Sequence, residues 1–221
     1  MDTFSIGSDN PDIVIIIAGQ SNGVSRPYVS SDAVSSNWRV YVGRELESFN
    51  NLYHPTVSEP AAHSSAFIQF ADKLSASEGK TVRIYNYCVG GSSAKEWYHG
   101  HQYSLISAVR ELKPDYIFWV HGETDSRLGM RGDLYYNYVS KVIDNVRGIC
   151  PVRWYICLNT NGNRDIEIRS AQRKLIDDNF GIEGPDLDLI REPENMYDGL
   201  HFNSRGLKLH SEAWFRIFSN N

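Results

Sequence analysis

Ile13-Val14-Ile15-Ile16-Ile17-Ala18 runs directly into Gly19-Gln20-Ser21-Asn22-Gly23. The first stretch is apolar throughout and almost unbroken in β-branched side chains. That composition fits a strand buried on both faces, as at the centre of a parallel sheet, better than the alternating pattern of an edge strand. Ser21 then falls just beyond the strand's C-terminal end. Open α/β sheets bind their ligands at that end, and a helix starting near Asn22 points its first N–H groups at the same spot.

The rest of the chain repeats this alternation. Strands are expected at 12–18, 81–88, 115–121, 152–158 and, with a weaker pattern, 186–190. Between and after them, 64–78, 103–113, 133–148, 165–180 and 203–218 space apolar residues three and four apart, as in Leu134, Tyr138, Val142 and Val146. Such alternation implies right-handed crossovers and a parallel sheet with helices on both faces. The 221 residues contain no Pro/Gly/Ser-rich linker, abrupt change of composition or internal repeat, so one α/β domain over 1–221 is expected.

Near the far end stands Asp198-Gly199-Leu200-His201. With Ser21 it supplies a hydroxyl, an imidazole and a carboxylate. A hydroxyl is a poor nucleophile until a base takes its proton and a carboxylate fixes that base's tautomer. A turn can bring Asp198 to one nitrogen of His201 and leave the other facing Ser21, and the chain therefore reads as a serine esterase. A plainer reading makes Asp198 the cap of the helix expected from Asn203, with His201 on its first turn. Gly19-Gln20-Ser21-Asn22-Gly23 also satisfies the G-x-S-x-G pattern of a nucleophile elbow. Chain order opposes the elbow, because only one strand fits before Ser21, and acid and histidine lie three residues apart rather than on separate loops.

Four blocks in order, Gly19-Gln20-Ser21-Asn22, Gly90-Gly91-Ser92 with Trp97 following, Gly122-Glu123-Thr124-Asp125 and Asp198-Gly199-Leu200-His201, resemble those of the SGNH (GDSL-like) hydrolases. Within that superfamily the chain is most similar to carbohydrate acetylesterases of the sialate O-acetylesterase and acetylxylan esterase type. The resemblance covers 13 to about 210. It implies a three-layer αβα sandwich with a flavodoxin-like five-stranded parallel sheet in the order 2-1-3-4-5. It also implies a Ser21–His201–Asp198 triad, an oxyanion hole built on the N–H groups of Ser21 and Gly91 with a third-block side chain, and no metal or organic cofactor. Glycine at 91 lets a bare N–H approach a substrate oxygen.

The third block departs from the family pattern. His121 stands where these acetylesterases usually carry glutamine, and other SGNH enzymes asparagine. A neutral imidazole has one donor, so His121 is expected as third oxyanion donor only with its tautomer fixed; as general base in place of His201 it is the lesser alternative. Gln20, Trp97 and Glu123 are the expected substrate contacts, with Trp97-Tyr98 available to stack on a sugar ring. Glu123 and Asp125 are also read as braces for the loop that carries His121.

These residues point to removal of O-acetyl groups from a polysaccharide or sialic-acid-like glycan through an acetyl-enzyme. Other readings are a catalytically silent carbohydrate-binding or assembly module, and a lipase or thioesterase of the same superfamily. The net charge of −5 and the lack of a clustered basic face argue against nucleic acid as partner. No apolar run approaches the roughly 20 residues that span a bilayer. The N-terminus has neither basic stretch nor apolar core, so a signal peptide is not expected. The chain is then cytoplasmic, or a domain of a larger extracellular, surface or phage tail protein. Cys88, Cys150 and Cys157 read as buried thiols, His99-Gly100-His101 as a loop rather than a metal pair, and Arg191, Glu192 and Glu194 as solvated surface charges. The segment from Arg26 to Ser64 is expected to contribute to the substrate rim.

Overall fold

The computed structural model describes residues 11–24, 39–41 and 66–220. The expected rim from 26 to 64 therefore lies outside the described residues, apart from 39–41. The decisive stretch forms β1 (Ile13–Gly19), and Ser21–Val24 forms a single turn, α1. There follow β2 (Arg39–Tyr41), α2 (Ala66–Glu78), β3 (Val82–Asn86), α3 (Ala94–Glu96), a π-helical turn (Trp97–His101) and α4 (Gln102–Leu112). The second half adds β4 (Tyr116–Val120), α5 (Glu123–Arg127), α6 (Gly132–Arg147), β5 (Arg153–Leu158), α7 (Ile166–Asp177), β6 (Ile182–Asp186), two 3-10 turns and α8 (Ser204–Phe218).

Among the described residues all sheet pairings are parallel, in the order β2-β3-β1-β4-β5-β6. The five strands expected from sequence hold the order 2-1-3-4-5, and β2 is an additional three-residue strand beyond them at the edge. The alternation of β1 sorts its side chains into two cores, as strand geometry requires. Ile16 and Ala18 pack with Trp97, Trp119, Tyr135 and Trp154 under α4, α6 and α7. Ile15 and Ile17 pack with Phe67, Phe70, Phe118 and Trp214 under α2 and α8.

Two expectations need correction. The fifth strand lies at Ile182–Asp186, and Leu187–Ile190 is a 3-10 turn whose first free N–H, that of Asp188, bonds the Asp186 carboxylate at 3.2 Å. The buried face of α6 is Tyr135, Val139, Val142, Ile143 and Val146, whereas Leu134 is 41% exposed. The periodicity was right there and its phase partly wrong, because several tyrosines made two neighbouring faces look alike.

The ends of β1, β3 and β4 converge on Ser21. Gly19 adopts φ +140°, and a Cβ there would stand 2.0 Å from the Val120 carbonyl oxygen; at Gly23 it would stand 2.4 Å from Cys88 Sγ. Both glycines of the G-x-S-x-G pattern are thus required by close packing around the serine turn, with a single strand before Ser21 among the described residues.

Candidate active site

Ser21 is the first residue after β1 and its linking residue Gln20, at the mouth of the sheet. Asp198 and His201 reach it from the loop before α8. Gly199, at φ +79°, turns that loop through a conformation glycine tolerates best. The turn lets Asp198 Oδ1 accept the N–H groups of Leu200 and His201 at 2.9 and 2.7 Å, while its Oδ2 lies 2.7 Å from His201 Nδ1. The other ring nitrogen, Nε2, lies 3.0 Å from Ser21 Oγ. Asp198 is not the cap of α8, since Asn203 accepts the N–H groups of Arg205 and Gly206.

Burial works against the Asp198 charge. The bonds from the His201 ring and from the His201 and Leu200 N–H groups together outweigh it and hold the pKa down to about 2. Asp198 therefore stays ionised throughout the neutral range and supports the Nδ1-protonated tautomer of His201, leaving Nε2 free to accept the serine proton.

The second block lies beside the serine. Gly90 and Gly91 are exposed, a Cβ on Gly90 would stand 3.9 Å from Ser21 Cβ, and Gly91 takes φ +71°. The loop is pinned from behind: Val89 N–H donates to the Gly19 carbonyl at 2.9 Å, and Trp97 Nε1 donates to Ser92 Oγ at 2.9 Å and to the Gly19 carbonyl at 3.2 Å. Trp97 is 1% exposed and belongs to the core, so the expectation that it stacks on a sugar is corrected.

Gln20 and Glu123 also leave the list of substrate contacts, each being 2% exposed. Gln20 Oε1 accepts the N–H groups of Gly122 and Thr124 at 3.3 and 3.4 Å, tying the Ser21 turn to the third block. Glu123 Oε1 accepts from Asn22 Nδ2 at 2.8 Å and Arg191 Nη2 at 3.1 Å. Arg191 itself is a buried side chain, 3% exposed, and not the solvated charge its acidic neighbours suggested.

His121 is fully buried and stacks on Trp119, its ring centroid 4.9 Å from the indole. Its Nε2 faces the Ser92 carbonyl at 3.1 Å, which an imidazole can satisfy only by donating its ring proton. With that proton engaged and no surface open to a substrate, His121 is placed neither as third oxyanion donor nor as general base. Burial drives its pKa down to about 3 against the opposing bond to Ser92. Asp125 Oδ2 approaches His121 Nδ1 at 3.5 Å, and Asp125 accepts the Ala94 N–H. Burial raises the Asp125 pKa to about 7 despite that bond, so below neutrality the two form a neutral contact rather than an ion pair. Both groups grip the loop after Gly91 from inside.

Asp125 has a measurable consequence. Between its ordinary pKa of 3.8 and about 7, the unfolded chain releases a proton that the folded chain keeps, so stability falls as pH rises across that window. Asp125→Asn removes this dependence. Thermal unfolding at pH 4, 5.5 and 7.5 should show the variant gaining on the wild type as pH rises; parallel curves contradict the assignment.

Tyr197 was not singled out from sequence. It is 47% exposed, and its ring stacks on His201 at 5.7 Å with an interplanar angle of 20°. Among the described residues no group of three His, Cys, Asp or Glu side chains is placed to hold a metal ion, and no helix is long and apolar enough to cross a membrane.

The parallel sheet, the serine at its mouth and the Asp-x-x-His loop define an esterase of the SGNH class. The family model of the carbohydrate esterases, sialic acid-specific acetylesterases, matches residues 11–208, and the chain belongs to that family. Among solved structures it is similar to a protein from Arabidopsis thaliana, at 15% identity and a TM-score of 0.71 over 96% of this chain and 99% of that one. It is also similar to the psychrotrophic esterase EstA from Pseudoalteromonas sp., at 12% identity and a TM-score of 0.63 over 95% and 98% of the two chains. A carbohydrate acetylesterase from Xanthomonas citri matches at 16% identity and a TM-score of 0.60, covering 94% of this chain and 56% of that one. At these identities the likeness is one of fold. Among curated proteins no sequence matches.

Proposed function

We propose that the protein removes O-acetyl groups from a carbohydrate through an acetyl-enzyme on Ser21. The observation that carries this reading is the unbroken relay from Asp198 Oδ2 through His201 to Ser21 Oγ, with links of 2.7 and 3.0 Å. His201 Nε2 takes the serine proton as Oγ attacks the acetyl carbonyl. The carbonyl oxygen, now negative, is held by the backbone N–H groups of Ser21 and Gly91. Collapse of the tetrahedral adduct breaks the ester bond, and His201 returns the proton to the departing sugar oxygen. Water then attacks the acetyl-serine with the same imidazole as base, releasing acetate and restoring the hydroxyl.

The carbohydrate part of the reading rests on the family and on Tyr197. Tyr197 offers a half-exposed aromatic ring stacked on His201, a surface of the kind that packs against a sugar ring. Hydrolysis of p-nitrophenyl esters of increasing acyl length tests the acyl specificity. Acetate should be turned over fastest, with rates falling at least tenfold by butyrate. A rate that rises with chain length favours the lipase or thioesterase reading, and no turnover by folded protein favours a binding module.

A further inference from the structure

Arg191 lies outside the four sequence blocks, yet it contacts the residue on each side of the catalytic histidine. Its Nη1 donates to the Leu200 carbonyl at 2.9 Å, and its guanidinium carbon stands 5.2 Å from the ring centroid of Phe202, which is fully buried. Leu200 and Phe202 flank His201 in the chain. The other end of the fork, Nη2, donates to Glu123 Oε1 at 3.1 Å and to Asn159 Oδ1 at 3.0 Å. Asn22, the residue after the nucleophile, closes the circuit: its Nδ2 donates to Glu123 Oε1 at 2.8 Å and to the same Leu200 carbonyl at 3.1 Å. One carbonyl beside the base and one carboxylate in the third block are thus shared by Arg191 and by the nucleophile's neighbour.

We infer that Arg191 is a positioning residue which, through Leu200, Phe202 and Glu123, sets the distance between His201 and Ser21. The inference rests on the serine-esterase reading above. The contacts that hold His201 at Nδ1 and on its ring face come from Asp198 and Tyr197, both on its own loop, and they move with that loop. Arg191 instead ties the loop to the sheet edge. A buried ion pair is weak as a source of stability, because desolvation of both charges offsets their attraction. What the fork supplies here is direction: a planar guanidinium satisfies acceptors on two elements at fixed angles, which a point-charge ammonium does not. Displacements of about 1 Å in a catalytic constellation cost on the order of a hundredfold in rate.

The test compares wild type, Arg191→Lys and Glu123→Gln by active-site titration with a fluorophosphonate, followed by turnover of p-nitrophenyl acetate. Lysine keeps the charge opposite Glu123 and loses the fork. Expected is full labelling stoichiometry at Ser21, a labelling rate and kcat lower by about ten- to a hundredfold, and KM within about twofold. Glu123→Gln keeps the shape, weakens the alignment of the fork and should lose a smaller factor in kcat, again at full stoichiometry. A merely structural role gives the opposite signature, fewer labelled sites that each react at the wild-type rate, and overturns the inference. So does wild-type kcat in Arg191→Lys; if that variant does not fold, wild-type kcat in Glu123→Gln decides. Wild-type protein that fails to label at Ser21 defeats the esterase reading itself, a distinct outcome.

Discussion

Ser21→Ala is expected to lower esterase turnover by at least about ten-thousandfold while leaving the fold intact. The size follows from the chemistry: without Oγ there is no acceptor for the acetyl group, and only the backbone N–H donors and ground-state binding remain to assist water. The fold should not respond, because Oγ makes its contact with His201 at a partly open site and the glycines around the turn bear the tight packing. Equal thermal midpoints for variant and wild type, beside a steady-state rate near the uncatalysed one, are the expected pair of readings. Turnover within tenfold of wild type places the nucleophile elsewhere.

Asp198→Asn and His201→Ala should show a graded loss, and the grading is informative. Removing the imidazole base is comparable in effect to removing the serine, since members of such a unit fail together rather than additively. Asparagine at 198 keeps the size of the carboxylate and offers an N–H₂ to Nδ1, which favours the tautomer with its proton on Nε2, the wrong side for accepting from Ser21. A loss of roughly a hundred- to ten-thousandfold in kcat is expected, with KM little changed. Asp198 Oδ1 also holds the N–H groups of Leu200 and His201, a role the asparagine Oδ1 retains, so the loop keeps its turn. An Asp198→Asn enzyme with wild-type kcat shows that the carboxylate does not orient the base.

Much of the fold was legible because the sheet is parallel and buried. Both faces of β1 and β4 need apolar side chains, so the strands stand out as runs, and the crossovers stand out as helical spacing. β6 was displaced because its register depends on close approach: Gly184 sits where a Cβ would lie 3.0 Å from the Cys157 nitrogen, and Pro185 follows it. Neither residue advertises a strand, while the apolar Leu187-Asp188-Leu189-Ile190 does and turns instead. β2, three residues long, offered no period to read.

In the site, the residues brought together in the relay were those whose chemistry is local in sequence, Asp198 and His201, plus a serine at a strand end. The expected substrate contacts fared worse because a polar or aromatic residue near a motif is equally useful behind it: Gln20, Trp97, Glu123 and His121 are all turned inward as braces. Arg191 was hidden by its surroundings, since a cation among Glu192 and Glu194 looks like surface until Glu123, distant in sequence, is seen against it. Asp188, three residues earlier and with its Oδ1 3.6 Å from Arg191 Nε, is a local partner, but the pairing with Glu123 leaves no spacing signal.

The most direct test of the account is to react the wild-type chain with a fluorophosphonate and locate the adduct by peptide mass spectrometry. Stoichiometric modification of Ser21, slowed by at least a hundredfold in His201→Ala, is the predicted result. An adduct on any other residue, or labelling of Ser21 at an unchanged rate without His201, contradicts the triad on which the proposed function stands.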